Sequence, residues 1–179
     1  MRKVIKKVLL KDRVEFDAKI EEDLELEFSP IMWMHDRVYV PGNYEKGKNY
    51  PRLVMRTTML SVDGLPRYSV ILKRHIEESG VDVANETAVA DYMEAVNIIH
   101  QLGFVKKSEI SRKRQSVVMD EDTMLYVDTI EGVEGHFAKL EKKLETDEKV
   151  GETMKDIVKT FETLEETNFV ENAYFEIEK

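Results

Sequence analysis

The sequence predicts an α+β fold built on one antiparallel sheet that curls or closes on itself. Three observations lead there. About eight strand-like runs are joined mostly by short turns, helical patterns occur at only three places, and Lys and Arg recur on one face of several strands.

Residues 2–10, RKVIKKVLL, read as the first strand. Asp12, with Glu15 three positions on, makes a capping-box start for a helix through about Glu22. Runs at about 24–28, 31–40, 52–60, 67–76 and 83–89 are strand-like, separated by PGNYEKGKNYP, VDGLP and EESGVD. A second helix is capped by Asp91, with Glu94 completing the box. Met93, Val96, Ile99 and Leu102 form its apolar positions, and Gly103 stops it. Two more strand pairs follow, at about 104–118 and 124–145, turned at MDEDT and at EGVEG. A last helix carries Val150, Met154, Ile157, Val158, Phe161 and Leu164 on one stripe, and NAYFEIE reads as a short closing strand.

The 179 residues suit one domain, 1–179. No apolar run approaches the roughly eighteen residues of a membrane span, and no basic start leads into an apolar stretch, so a soluble, cytoplasmic protein is expected. The absence of cysteine excludes disulfides, thiolate metal sites and thiol nucleophiles. A net charge of −9 argues against a general nucleic-acid surface, although it leaves room for a local basic pocket. Oligomeric state stays open, a homodimer included.

Several motifs fail. Gly42, Gly47 and Lys48 match the spacing of a phosphate-binding loop, but Asn49 replaces the Ser or Thr, and Pro51 with its following strand denies the helix. His35, His75, His100 and His136 lack metal-binding spacing and are read as surface or packing residues. No serine occupies a nucleophile elbow. Met32, Trp33 and Met34 are read as core or rim packing.

Strand parity is more informative, because side chains alternate between faces with period two. Arg52, Val54, Arg56 and Thr58 share one face of their strand, opposite Leu53, Met55 and Met59. Ile110, Arg112, Arg114 and Ser116 make another row. Lys3 groups with Ile5 and Lys7, Ile71 with Lys73, Asp128 with Ile130, and Phe137 with Lys139 and Glu141.

The order of RLVMR, YSVILK, a Glu-bearing strand leading to AVADYMEAVNIIHQLGF, ISRKRQ and LYVDTIEGVEGHFAKLE resembles the CYTH superfamily over nearly the whole chain. That superfamily takes in class IV adenylyl cyclases and thiamine triphosphatases. The resemblance implies an eight-stranded antiparallel β-barrel with flanking helices, a tunnel whose Lys and Arg hold a triphosphate and whose carboxylates hold magnesium or manganese. Carried over residue by residue, it implies triphosphate contacts from Lys7, Arg52, Arg56, Lys73, Arg112, Arg114 and Lys139, and metal contacts from Glu86, Asp128 and Glu141.

The acidic half departs from the family pattern. Where the family opens with ExExK, this chain has Lys3, Ile5 and Lys7, and Lys139 stands at the first position of the final ExE. These exchanges shift the lumen by about five charge units toward positive. A weakened metal site is therefore expected, with Asp128 and Glu141 as remnants of it and Lys139 supplying part of the missing positive charge. The expected function is capture of ATP or another triphosphate-containing small molecule in a basic tunnel, with catalysis weakened. The alternatives are an active metal-dependent adenylyl cyclase or triphosphatase, and a non-enzymatic binding or scaffold protein.

Overall fold

The computed structural model describes residues 2–45, 50–60, 64–76, 81–144 and 150–170. Its strands are β1 (Arg2–Leu9), β2 (Met32–Pro41), β3 (Arg52–Met59), β4 (Arg67–Ile76), β5 (Val81–Val89), β6 (Phe104–Val118), β7 (Thr123–Ile130) and β8 (Phe137–Leu144). Helix α1 is Arg13–Ala18, α2 is Tyr92–Gln101 and α3 is Val150–Thr163.

The strands form one sheet in the order β1-β8-β7-β6-β2-β3-β4-β5, with every adjacent pair antiparallel. The sheet curls until its edge strands lie alongside each other, with β1 and β5 Cα atoms within 8 Å.

Burial fixes which face is inside. Val38, Val54, Ile71, Ile110, Ile130 and Phe137 form one apolar cluster, with Leu9 and Ala84 packed against it. All eight strands contribute to that cluster, so it lies within the curl and plugs part of the lumen. By alternation, the charged rows named above face inward with it.

The opposite face is covered by helices. Val4, Val8, Leu125, Val127, Ala138 and Leu140 pack with Phe16 and Ile20 of the first helical segment and with Ile157 and Phe161 of α3. Full burial of each large side chain there contributes about 1.5–3 kcal/mol. Tyr39 and Met55 pack against Ala95, Val96 and Ile99 of α2.

Local chemistry starts and stops these helices. Asp12 Oδ1 accepts from the N–H groups of Val14 (2.7 Å) and Glu15 (3.0 Å) at the start of α1. A wider helical turn over Lys19–Asp23 continues α1, close to the predicted end at Glu22. Asp91 Oδ1 accepts from Glu94 N–H at 2.9 Å, and Gly103, with φ +82°, ends the turn after α2 where a side chain would be strained.

Two expectations about elements need correction. Residues 24–28 form no strand; Leu26 and Phe28 instead pack on the core, and Arg13 lies 5.2 Å from the Phe28 ring centre. The buried side of α2 is Ala95, Val96 and Ile99, while Met93 and Leu102 are exposed. The closing run NAYFEIE lies outside the described residues, as do positions 46–49 of the rejected phosphate-loop match.

Candidate functional site

Inside the curl, three carboxylates organise the cations. Asp36 lies opposite Arg56 in the β2–β3 register. It accepts from Arg56 Nε at 2.7 Å and Nη2 at 2.9 Å, and from Arg112 Nη2 at 2.7 Å. Asp128 lies opposite Arg114 in the β6–β7 register and takes two bonds of 2.6 Å from its guanidinium. Arg112 Nε stands 3.8 Å from Asp128, so Arg112 connects the two acid centres. Glu141 accepts from Lys3 Nζ at 2.9 Å and from Lys139 Nζ.

These groups are removed from water. Asp36 and Asp128 are 3% and 0% exposed, Arg112 and Arg114 are buried, and Glu141 is 9% exposed. Charges survive there because each is matched at hydrogen-bond distance, and charge-assisted bonds are the strong class. Burial pushes the Asp36 carboxyl up, but Arg112 and Arg56 overcome it and hold the group well below the usual carboxylate range. Burial likewise raises Asp128, and Arg114 and Arg112 reverse the effect. Glu141 is also net depressed: burial acts upward, and Lys139 and Lys3 act downward more strongly.

Two lysines are pushed down as well, which for them disfavours the charged form. Burial, reinforced by Arg56, pushes Lys73 down to about 7, with Asp36 opposing and Lys139 and Arg112 adding repulsion. Burial and Arg114 bring Lys139 down to about 8 against the pull of Glu141 and Asp128. Lys73 differs from its neighbours in one respect: among the described side chains, none makes a hydrogen bond or ion pair with it.

The remaining expected residues take identifiable places. Arg52 lies across from Lys73 in the β3–β4 register, and Lys7 across from Lys139 in the β1–β8 register. Glu86 is half-exposed at the lumen mouth, where it accepts from Ser69 Oγ at 2.6 Å and stands 3.8 Å from Arg56 Nη1. Lys139 pairs with Glu141 and not with Asp128, whose oxygens Arg114 already holds. The described residues contain no group of three His, Asp or Glu side chains placed to hold a metal ion.

Sequence reasoning missed two lumen residues, Asp36 and Tyr126. Asp36 shares parity with Met32, Met34 and Val38, so a lone acid in an apolar row was its signal. Tyr126 shares the row of Asp128, and its ring centre lies 4.5 Å from the Arg114 guanidinium and 4.6 Å from Lys139 Nζ. Lys3 was placed in the first-strand row, but its bond to Glu141 required the register. Near the mouth, Met32, Met34, Arg56, Glu86, Arg114 and Tyr126 help line a cavity of about 210 Å³.

The histidines have local partners: His35 meets Ser111 Oγ at 3.1 Å, His136 meets Thr129 Oγ1 at 2.9 Å, and His100 meets the Phe104 carbonyl at 3.2 Å. Trp33 lies outside the lumen under Lys113, 4.4 Å from its ring centre.

Solved structures with the same course of strands decide the fold. PH1819 from Pyrococcus horikoshii OT3 superposes with a TM-score of 0.83 at 19% identity, over 98% of this chain and 97% of its own. A candidate adenylate cyclase from Vibrio parahaemolyticus gives 0.80 at 15% identity, over 99% and 97%. The chain has a CYTH-like fold. Hippeastrum HpAC1, a candidate adenylyl cyclase found to have a dominant triphosphatase activity, aligns with this chain at a TM-score of 0.56 and 13% identity, over 89% and 87%. No family model and no curated protein matches the sequence itself. Among the described residues, no helix is long and apolar enough to cross a membrane.

Proposed function

We propose that the protein binds a small molecule carrying linked phosphates, a nucleoside triphosphate or inorganic triphosphate, within the lumen. The observation that carries this reading is the convergence of Arg56, Lys73, Arg112, Arg114 and Lys139, from four separate strands, in one confined space. Confinement lowers the effective dielectric, so each cation acts on an anion more strongly than it would on the surface. Guanidinium groups also grip phosphate oxygens in pairs. One structural neighbour is a candidate cyclase and another has triphosphatase activity, both chemistries of linked phosphates, which supports the same reading.

Lys7 and Arg52 extend the cationic rows, while Glu86 stays at the mouth on Ser69 and near Arg56. Turnover is not required for this function, and the exchange of family acids for Lys3, Ile5 and Lys139 favours capture over catalysis.

Calorimetric titration with ATP, inorganic triphosphate and AMP tests the proposal. Both triphosphates should bind and AMP should bind far more weakly, since one phosphate spans fewer of the cations. Equal affinity for all three would remove the linked-phosphate site.

A further inference from the structure

The carboxylates of the lumen are poor candidates for a divalent cation. Magnesium and manganese take oxygen ligands, yet Asp36 accepts three guanidinium bonds, Asp128 two, and Glu141 two lysine bonds. Turning any of these acids to a metal would leave Arg or Lys uncompensated in a buried setting, the most unfavourable arrangement for a charge pair. Glu86 sits apart from them on Ser69 and Arg56. The residues present therefore do not fit a resident divalent ion.

An anion faces the opposite situation. Lys73 is partly buried beside Arg56, and no described side chain supplies it with a hydrogen bond or an ion pair. Arg56 uses two of the five guanidinium N–H bonds on Asp36. Lys139 lies in the row between Asp128 and Glu141, supplying fixed positive charge among the acids.

We propose that the lumen takes its phosphate ligand as the metal-free anion, with the Lys73 ammonium as its central contact. This rests on the linked-phosphate reading above and adds the ionic form of the ligand. Magnesium then acts as a competitor: it binds the phosphates in solution, cancels two of their negative charges and weakens their attraction to the tunnel.

The test is titration of the full chain with inorganic triphosphate in chelator, and again with excess magnesium at matched ionic strength. The expected result is binding in chelator that weakens about tenfold or more with magnesium, the scale of one lost charge contact. Lys73→Met should lose about tenfold or more in chelator by the same reasoning, and it orphans no described carboxylate. Binding that needs magnesium would overturn this inference while leaving the linked-phosphate site intact. No binding under either condition would overturn both. Unchanged affinity in Lys73→Met would remove Lys73 from the contact.

Discussion

Arg114 holds Asp128 through two bonds, Nε to Oδ1 and Nη2 to Oδ2, both 2.6 Å long. Asp128 is wholly buried and faces Arg112 as well, so it neutralises positive charge that a ligand would otherwise meet. The lumen is therefore partly self-satisfied before any ligand arrives. Under the proposed function, an incoming phosphate would compete with the protein's own acids for the same guanidinium groups, and that competition would link stability to binding.

Asp128→Asn keeps the shape and removes the charge. Arg114 and Arg112 would then be left with less compensation, and the folded state should lose about 3 kcal/mol or more in urea unfolding. Triphosphate should bind this variant more tightly, and saturating ligand should restore much of the lost stability. Weaker binding with unchanged stability would show that Asp128 does not compete with the ligand.

Acid should unfold the protein through the same groups. Asp36 and Asp128 have depressed values in the folded state, so the unfolded chain binds more protons as the pH falls. Their contribution is fully present above the unfolded carboxylate value near 4 and is lost progressively below it. Chemical denaturation at stepped pH should show a plateau between about pH 5 and pH 7, the value near which Lys73 begins to contribute, and a steep fall below about pH 4. Asp36→Asn should flatten part of that fall.

Alkali should act in the other direction. Lys73 titrates near 7 in the fold against about 10.4 in an unfolded chain, so between those values the unfolded state binds the extra proton. Stability should rise with pH across that interval, and Lys73→Met should reduce the slope. The groups that face Lys73 are Arg52 and Arg56 of β3, Asp36 of β2, Lys139 of β8 and Arg112 of β6, and apart from Asp36 all are cationic. Triphosphate affinity should fall over the same interval, because binding draws a proton onto Lys73. Titrations in buffers of different ionisation enthalpy would detect that uptake, and pH-independent binding would argue against the contact.

Much of the lumen was legible in the sequence because strand parity needs no partner. Arg52, Arg56, Lys73, Arg112, Arg114 and Lys139 could be sorted to one face from spacing alone, and the helix starts at Asp12 and Asp91 could be read from their capping boxes. What parity cannot supply is the register between strands. Asp36 meets Arg56 only because β2 and β3 align Val38 with Val54 across a loop too long to fix that alignment from sequence. The partner of Lys3 is likewise set by β1 pairing with β8, strands at opposite ends of the chain. Residues 24–28 alternate like a strand, but that segment leaves the helical turn through Glu25 at φ +54° and places Leu26 and Phe28 on the core instead. There the outcome came from tertiary packing, which local pattern does not encode.

Lys139→Glu tests the electrostatic logic of β8 from the opposite direction. Position 139 is two residues from Glu141 on the same face and touches the Tyr126 ring, so the change sets two carboxylates side by side and removes a cation–π contact. Like charges at that spacing repel, and the variant should melt below the parent without added metal. Magnesium should then raise the melting temperature of Lys139→Glu and leave the parent nearly unchanged, because the variant adds a carboxylate at 139 and releases Glu141 Oε1 from lysine, while Lys3 keeps only Oε2. Thermal melts with and without magnesium, run in the absence of phosphate, give the comparison. An equal response in both proteins would mean that Lys139 is not what keeps a divalent ion from this row.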